Sequence, residues 1–174
     1  QRVWRRVGEW FADVNVVDRV ANGGGRVMVW AGVCYRQRTQ VHFIDGILDA
    51  QRYRDEILRL VVVPFVHDRH LMLQHDNARP HVARICTQFL ETENIPVLAW
   101  PAYSPDILLI EHVWDALDRR TQQSVPVPSN IQQLRTAIEE EWTNIPQATI
   151  NNLINSMQRR CVALHEANSG HTRY

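Results

Sequence analysis

Residues 71–81 read LMLQHDNARPH, an apolar run that ends in an acidic residue and then reaches a proline. The apolar part predicts a short buried strand, and Pro80 suits the first turn of a helix. Asp76 therefore follows a strand, and open α/β sheets bind ligands at the carboxyl ends of their strands. An Asp-Asn pair in this position also makes an ordinary turn or helix cap. The spacing alone leaves both interpretations open.

A second acidic residue, Glu111, stands in the first turn of an amphipathic helix predicted over residues 108–121. A carboxylate there gains from the helix dipole whatever its role, so a surface glutamate is the alternative interpretation. One carboxylate at a strand end and one at a helix start suit hard divalent cations, since oxygen ligands suit Mg²⁺. Two such ions can clamp the attacking and leaving oxygens of an in-line phosphoryl displacement.

Polar residues flank both acids. His81 lies just inside the predicted helix that follows Asp76, so it is a candidate for contacting phosphate or orienting a carboxylate. It is equally an ordinary polar residue at a helix start. Asn77 and His112 are the other supporting candidates. A histidine metal site is disfavoured, because the histidines around Asp76 do not share one face of one element.

Composition limits the class of protein. The chain has 174 residues, 45% hydrophobic and 22% charged, which fits one globular domain with a sizeable core. Nineteen basic and nineteen acidic residues balance, which argues mildly against strong DNA binding by this segment alone. The three cysteines are widely spaced, so reduced thiols in an intracellular protein are expected rather than a disulfide framework. No apolar stretch reaches transmembrane length.

The order of predicted elements indicates an α/β fold. Strands are predicted over residues 2–6, 13–20, 26–35 and 39–44, the last two as a hairpin. Helices over residues 50–63, 80–93 and 108–121 then alternate with strands over residues 70–76 and 95–100. This order suggests a mixed sheet flanked by helices, as in the ribonuclease-H-like fold once a missing first strand is supplied. Two extra C-terminal helices follow, so we expect a core over residues 1–123 and a helical extension of the same domain over residues 124–174.

Two local patterns add detail. Ser129 with Gln132 predicts a capping box at the start of the first C-terminal helix. The helix over residues 50–63 is predicted to bury one face, made of Tyr53, Ile57, Leu58 and Val61.

Successive stretches of the chain resemble blocks of the DDE catalytic domain of Tc/mariner-type DNA transposases. They are VMVWAGVCY, VHFIDGILDAQRYRDEIL, QHDNARPHVAR, IPVLAWPAYSPD, IEHVWDALDRR and the closing GHTRY. The resemblance implies a ribonuclease-H-like domain that binds two Mg²⁺ or Mn²⁺ ions and uses no small-molecule cofactor. It implies hydrolytic nicking at transposon ends, followed by attack of the freed 3′-hydroxyl on target DNA. Asp76 then matches the second catalytic, metal-binding acid and Glu111 the third.

The same resemblance implies the surroundings of the protein. Transposon ends and target DNA are the expected partners, a homodimer is the usual assembly of this class, and no membrane is involved. The expected location is nuclear.

The chain departs from the family pattern in two places. The first Asp of the family lies upstream of the block that resembles residues 2–6, together with an N-terminal helix-turn-helix region, and we expect both to be missing here. Asp13 and Asp18 come after that block and do not fit. Before the glutamate, Leu108 and Leu109 replace an Asn and a Pro, which would have capped and preset the helix. We therefore expect looser placement of Glu111.

The sequence is compatible with two functions. The chain is either the catalytic core of a DNA transposase, for cleavage and strand transfer, or a catalytically inactive transposase remnant. The remnant would act at most as a DNA- or protein-interaction module. We expect little or no metal-dependent DNA cleavage by this chain alone, so its status as an enzyme by itself stays open. A different ribonuclease-H-like nuclease would fit the acid pair but not the specific stretches.

Overall fold

The computed structural model describes residues 16–17, 27–99 and 108–166. The strand predicted over residues 2–6 and most of the one over residues 13–20 lie outside this part of the chain. Contacts divide the chain into two units, Gln1–Trp30 with His42–Leu98 and Ala31–Val41 with Ala99–Tyr174. The predicted boundary at residue 123 stays a prediction.

The first unit contains a three-stranded antiparallel sheet. Its order is β1 (Val16–Val17), β2 (Val27–Trp30) and β5 (His42–Ile44). Met28 lies opposite Ile44, which fixes the register between the last two strands. Residues of β2 alternate between buried and half-buried, as expected for a strand with one covered face. The predicted pairing of these two segments is confirmed.

The continuous strand predicted over residues 26–35 is wrong, because the chain leaves the sheet after β2. Two further strands, β3 (Val33–Cys34) and β4 (Gln37–Arg38), form a separate hairpin in the second unit. At the break, two hydrogen bonds join Gly32 and Thr39, and each residue donates one of them. The amide of Gly32 donates to the Thr39 hydroxyl at 2.8 Å, and the Thr39 amide donates to the Gly32 carbonyl at 2.8 Å. A glycine in a strand weakens it and allows this close approach.

A long helical run follows the sheet and passes through Pro64 instead of ending there. It consists of α1 (Ala50–Arg52), a π-helical segment (Tyr53–Val62) and α2 (Val63–His67). Asp49 caps its start by accepting the amide of Arg52 at 2.8 Å. Pro64 is the second residue of α2 and lies inside this continuous run, so it donates no amide hydrogen bond to the preceding turn.

The π-helical segment changes which residues the helix buries. The buried residues are Tyr53, Ile57, Leu58 and Val62. The first three match the predicted face, but Val62 replaces Val61, which is half-buried. Hydrogen bonds from residue i to i+5 widen each turn, so buried positions recur at intervals of four and five residues. A prediction based on the α-helical period is therefore wrong by one residue at the last buried position, Val62.

The rest of the first unit is less regular than predicted. The strands expected over residues 70–76 and 95–100 reduce to one parallel bridge between Leu73 and Val97 among the described residues. Two 2.8 Å backbone hydrogen bonds on either side of Leu73 hold this bridge. Helix α3 (Arg84–Thr92) begins four residues later than predicted, after turns that include Pro80. Cys86 and Leu90 bury its inner face in the same core as the π-helical segment.

The second unit is built from α4 (Leu109–Gln122), α5 (Ile131–Asn144) and α6 (Gln147–Glu166). Helix α4 packs against both others, and β3 packs against α6. The two predicted C-terminal helices are confirmed. The predicted cap of α5 is wrong by one residue, since Asn130 accepts the amide of Gln133 at 2.9 Å.

Side chains of the second unit attach its hairpin to its helices. The Trp142 indole donates to the Thr39 carbonyl at 2.9 Å. Arg38 donates to the carbonyls of Ile145 and Thr143, at 2.7 and 3.0 Å, where α5 ends. Within the described ranges, no helix is long and apolar enough to cross a membrane.

Candidate active site

Asp76 follows the parallel bridge by three residues and lies in the turn that leads towards α3. One oxygen of its carboxylate, Oδ1, accepts the amide of Ala78 at 3.1 Å and contacts Nδ1 of His81 at 2.5 Å. The side chain is 20% exposed. Among the described residues, no hydrogen-bond donor contacts the other oxygen, Oδ2. Asp76 is thus both a turn residue and a partly open carboxylate.

His81 is buried, with 6% of its surface exposed. Its ring packs against the ring of Tyr53, with centroids 4.2 Å apart and planes tilted by 33°. The ring of His75 meets it edge-on at 5.4 Å. The backbone amide of His81 also donates to the carbonyl of Ala78 at 2.8 Å. His81 is therefore fixed through both its backbone and its ring.

The electrostatics favour an ionised carboxylate. Burial opposes ionisation of Asp76, but the hydrogen bond and charge of His81 outweigh it, so the pKa of Asp76 lies below its ordinary value. Burial, followed by the neighbouring His81, lowers the pKa of His75. Burial raises the pKa of Tyr53 far above its ordinary value, so that hydroxyl stays neutral. The site thus holds a negative charge on Asp76 beside neutral His75 and Tyr53 at neutral pH.

Tyr53 is the member of this cluster that sequence reasoning missed as a site residue. Its hydroxyl is buried and has no hydrogen-bond partner in the described part of the chain. The Trp30 indole slightly lowers the Tyr53 pKa but does not reach hydrogen-bonding geometry with the hydroxyl. The predicted helix face already placed Tyr53 inward, but nothing in the spacing pointed it at His81.

Glu111 lies in the second unit, at the third position of α4, and is half-buried. Its amide donates to the carbonyl of Leu108 at 3.2 Å, which closes the first turn. Leu108 occupies the cap position, with φ −67° and ψ 113°, and gives no side-chain cap. Leu108 and Leu109 are instead 5% and 7% exposed, so apolar packing holds this helix start. Looser placement of Glu111 stays a prediction.

The structure brings Asp76 and His81 together. Asn77 is exposed, and His112 is half-buried on α4; their supporting roles stay predictions. Asp13 and Asp18 lie outside the described residues. Where the structure describes the chain, no group of three or more His, Cys, Asp or Glu side chains is placed to hold a metal ion.

Asp76 is thus an ionised, tethered carboxylate in an α/β domain, and it follows an isolated parallel bridge, at the kind of position where open α/β sheets bind ligands. The family described as DDE superfamily endonuclease matches residues 1–135. The chain belongs to this family.

Among the chain's relatives are two nematode transposases. The chain is 31% identical to the Tcb1 transposase of Caenorhabditis briggsae over 177 residues, covering all of this chain and 64% of that protein. It is 31% identical to the Tc1 transposase of Caenorhabditis elegans, covering 99% and 63%. The chain thus spans a little under two thirds of these relatives.

The Mos1 transposase has the same fold. Its catalytic domain with Raltegravir and Mg matches with a TM-score of 0.72 at 19% identity, over 86% of this chain and 77% of that one. Its paired-end complex with the left transposon end matches with a TM-score of 0.75 at 17% identity, over 99% and 52%. The fold is therefore the ribonuclease-H-like mixed α/β fold predicted from the order of elements.

Proposed function

We propose that this chain is the catalytic domain of a DNA transposase and that Asp76 and Glu111 are ligands of its divalent metal ions. The observation that carries the proposal is the Asp76 carboxylate, ionised and held by one oxygen while the other has no partner among the described residues. It stands in a chain that matches the DDE superfamily endonucleases over residues 1–135. Both acids lie within that match.

The donor set fits Mg²⁺ or Mn²⁺, since both candidate ligands are carboxylates and hard cations prefer oxygen. Structures of the Mos1 catalytic domain with Mg and with Mn support the same choice. The chemistry supplied by two bound ions is polarisation of the scissile phosphate and stabilisation of the attacking and leaving oxygens. Asp76 contributes a negative charge at neutral pH, because the hydrogen bond and charge of His81 outweigh burial and hold the pKa of Asp76 below its ordinary value.

The proposed reaction has two parts. Cleavage adds water across a phosphodiester bond and leaves a 3′-hydroxyl on one strand. Strand transfer then exchanges one phosphodiester for another, as that hydroxyl displaces a 3′-oxygen from target DNA. The Mos1 paired-end complex with transposon-end DNA supports transposon ends as the substrate. We propose in addition that the complete protein binds target DNA as a homodimer in the nucleus.

The proposal is tested by Mn²⁺ binding to the purified chain, measured by calorimetry for wild type, Asp76→Asn and Glu111→Gln. Both variants should weaken binding, because each replaces a charged ligand with a neutral amide. Asp115→Asn on the same helix as Glu111 is the matched control, since Asp115 is 63% exposed and pairs with Arg119. Unchanged Mn²⁺ affinity in both ligand variants would refute the assignment.

Catalysis is tested on the complete protein encoded by the reading frame that contains this chain. Mn²⁺-dependent nicking of DNA that carries the element's ends should be present in wild type and lost in Asp76→Asn and Glu111→Gln. The expected loss is at least several orders of magnitude, since metal ligands act in the transition state itself.

The second candidate function is an inactive transposase remnant that acts as a DNA- or protein-interaction module. The start of α4 favours it, because Leu108 gives no side-chain cap just before Glu111. This candidate predicts a folded protein that retains DNA binding, with no nicking at Mn²⁺ concentrations that saturate the wild-type chain. Its DNA binding should not change in Asp76→Asn.

A further inference from the structure

The cluster around Asp76 contains a buried histidine and a buried tyrosine that the proposed reaction does not use. We propose that His81, backed by the ring of Tyr53, is a positioning residue that fixes the Asp76 carboxylate and leaves Oδ2 as the atom for a divalent cation. This inference rests on the proposed function, because it concerns how that function's metal ligand is held.

The two oxygens of the Asp76 carboxylate differ in their hydrogen bonds. Both described donors, the Ala78 amide at 3.1 Å and His81 Nδ1 at 2.5 Å, reach the same oxygen, Oδ1. Two donors on one oxygen fix the rotation of the carboxylate about its last side-chain bond. A carboxylate can only accept, so Nδ1 of His81 carries the proton in this contact. The contact thereby holds the Nδ1–H of His81 against Oδ1 and favours one orientation of Asp76.

The histidine has little freedom to turn away. Its side chain is 7% exposed, its ring lies 4.2 Å from that of Tyr53, and its amide is bonded within the same turn. Tyr53 is fully buried in the core of the first unit, at the first residue of the π-helical segment. π-Helical turns are rare and often occur at functional sites. Here the π-helical segment places the ring of Tyr53 in contact with the ring of His81.

A partner that orients a metal ligand has a measurable effect on affinity. Removal of a residue that is hydrogen-bonded to a metal ligand commonly lowers metal affinity or activity by about 10- to 100-fold. A purely structural His81 would instead affect folding stability and leave the Mn²⁺ affinity of the folded protein unchanged. Substitutions of His81 that place the hydrogen-bond donor at different positions therefore distinguish the positioning role from the structural role.

The test compares three substitutions of His81 in the purified chain, with Mn²⁺ affinity measured by calorimetry and folding checked by circular dichroism. His81→Asn keeps an N–H donor at the position of Nδ1. His81→Gln carries the same amide one methylene further out, and His81→Leu has no donor. We expect about 10- to 100-fold weaker Mn²⁺ binding for His81→Gln and His81→Leu, and recovery of most of that loss in His81→Asn.

Wild-type affinity in folded His81→Gln would overturn the proposal, as would equal losses in His81→Asn and His81→Gln. If His81→Leu does not fold, the Asn and Gln pair still decides, because the two side chains differ only in reach. Asp76→Asn is run in parallel. If it leaves Mn²⁺ binding intact, the proposed ligand itself fails. If it abolishes binding while His81→Gln does not weaken it, only the positioning role of His81 fails.

Discussion

The indole N–H of Trp142 donates a 2.9 Å hydrogen bond to the backbone carbonyl of Thr39, 103 positions earlier in the chain. The same indole ring lies 5.3 Å from that of Trp114, between α5 and α4. Trp142 thus joins the hairpin of the second unit to its helices by one directional contact. The two tryptophans differ in this respect, because the Trp114 indole N–H has no hydrogen-bond partner in the described part of the chain.

Trp142→Phe should destabilise the protein more than Trp114→Phe. Both changes remove the same atoms, but only the first leaves the buried Thr39 carbonyl without its donor. An unsatisfied buried group costs about 1–3 kcal/mol. Thermal unfolding followed by circular dichroism gives the comparison. Equal falls in Tm for the two variants would show that the hydrogen bond contributes little.

Tyr53→Phe should leave the stability unchanged or raise it slightly. The Tyr53 hydroxyl is buried without a hydrogen-bond partner among the described residues, so its removal relieves a desolvation cost of about 1–3 kcal/mol at most. The ring that contacts His81 is kept, so Mn²⁺ affinity should not change. Tyr53→Leu is the control, because it removes the ring and leaves a void in the core. A marked fall in Tm for Tyr53→Phe would reveal a partner for the hydroxyl.

Leu108→Asn should lower stability even though it restores the residue that the family pattern carries there. The new cap contributes about 1 kcal/mol, whereas Leu108, 5% exposed, loses about 1.5–3 kcal/mol of apolar burial. Chemical denaturation gives the free energy of unfolding. Leu108→Ala serves as the reference, since it loses the burial and gains no cap. The Asn variant should be the more stable of the two, and an Asn variant no better than the Ala variant would mean that no cap forms.

Stability should fall as the pH drops below about 6.5, in buffer that contains a chelator. The pKa of His75 lies below its ordinary value of 6.5 in the folded protein, so the unfolded chain takes up a proton first. The pKa of Asp76 lies below its ordinary value of 3.8, which adds a second loss at lower pH. His75→Phe should remove the first loss and leave the second. If the Tm of His75→Phe falls as steeply as the Tm of wild type between pH 7 and pH 5, the assignment of the first loss to His75 is wrong.

The sequence located the parts of the site but not its internal arrangement. Asp76 after an apolar run and Glu111 at a helix start follow from local patterns, and the structure has α4 begin where the family pattern sets its cap. The contact between Tyr53 and His81 could not be predicted in this way. It depends on a π-helical segment, and the i to i+5 bonding that shifts the buried face from Val61 to Val62 has no signature in an apolar run.

The sheet shows the same limit. Residues 26–35 are rich in β-branched and aromatic residues, so local propensity favours one long strand. The strand breaks because Gly32 is bound by Thr39, and the Trp142 hydrogen bond to Thr39 comes from more than a hundred residues away. Tertiary contacts of this range override local preference, and a single sequence does not reveal them.

The hairpin formed by β3 and β4 has consequences for synthesis of the chain. Its contacts with Trp142, Ile145 and Asn151 span 103, 107 and 115 positions. At translation rates of about 5–20 residues per second, the hairpin leaves the ribosome roughly 5–20 seconds before these partners. During that interval Arg38 and the Thr39 carbonyl have only solvent or a chaperone to bind. The second unit can therefore complete its folding only after Asn151 has left the ribosome, and until then the nascent hairpin is open to mispairing.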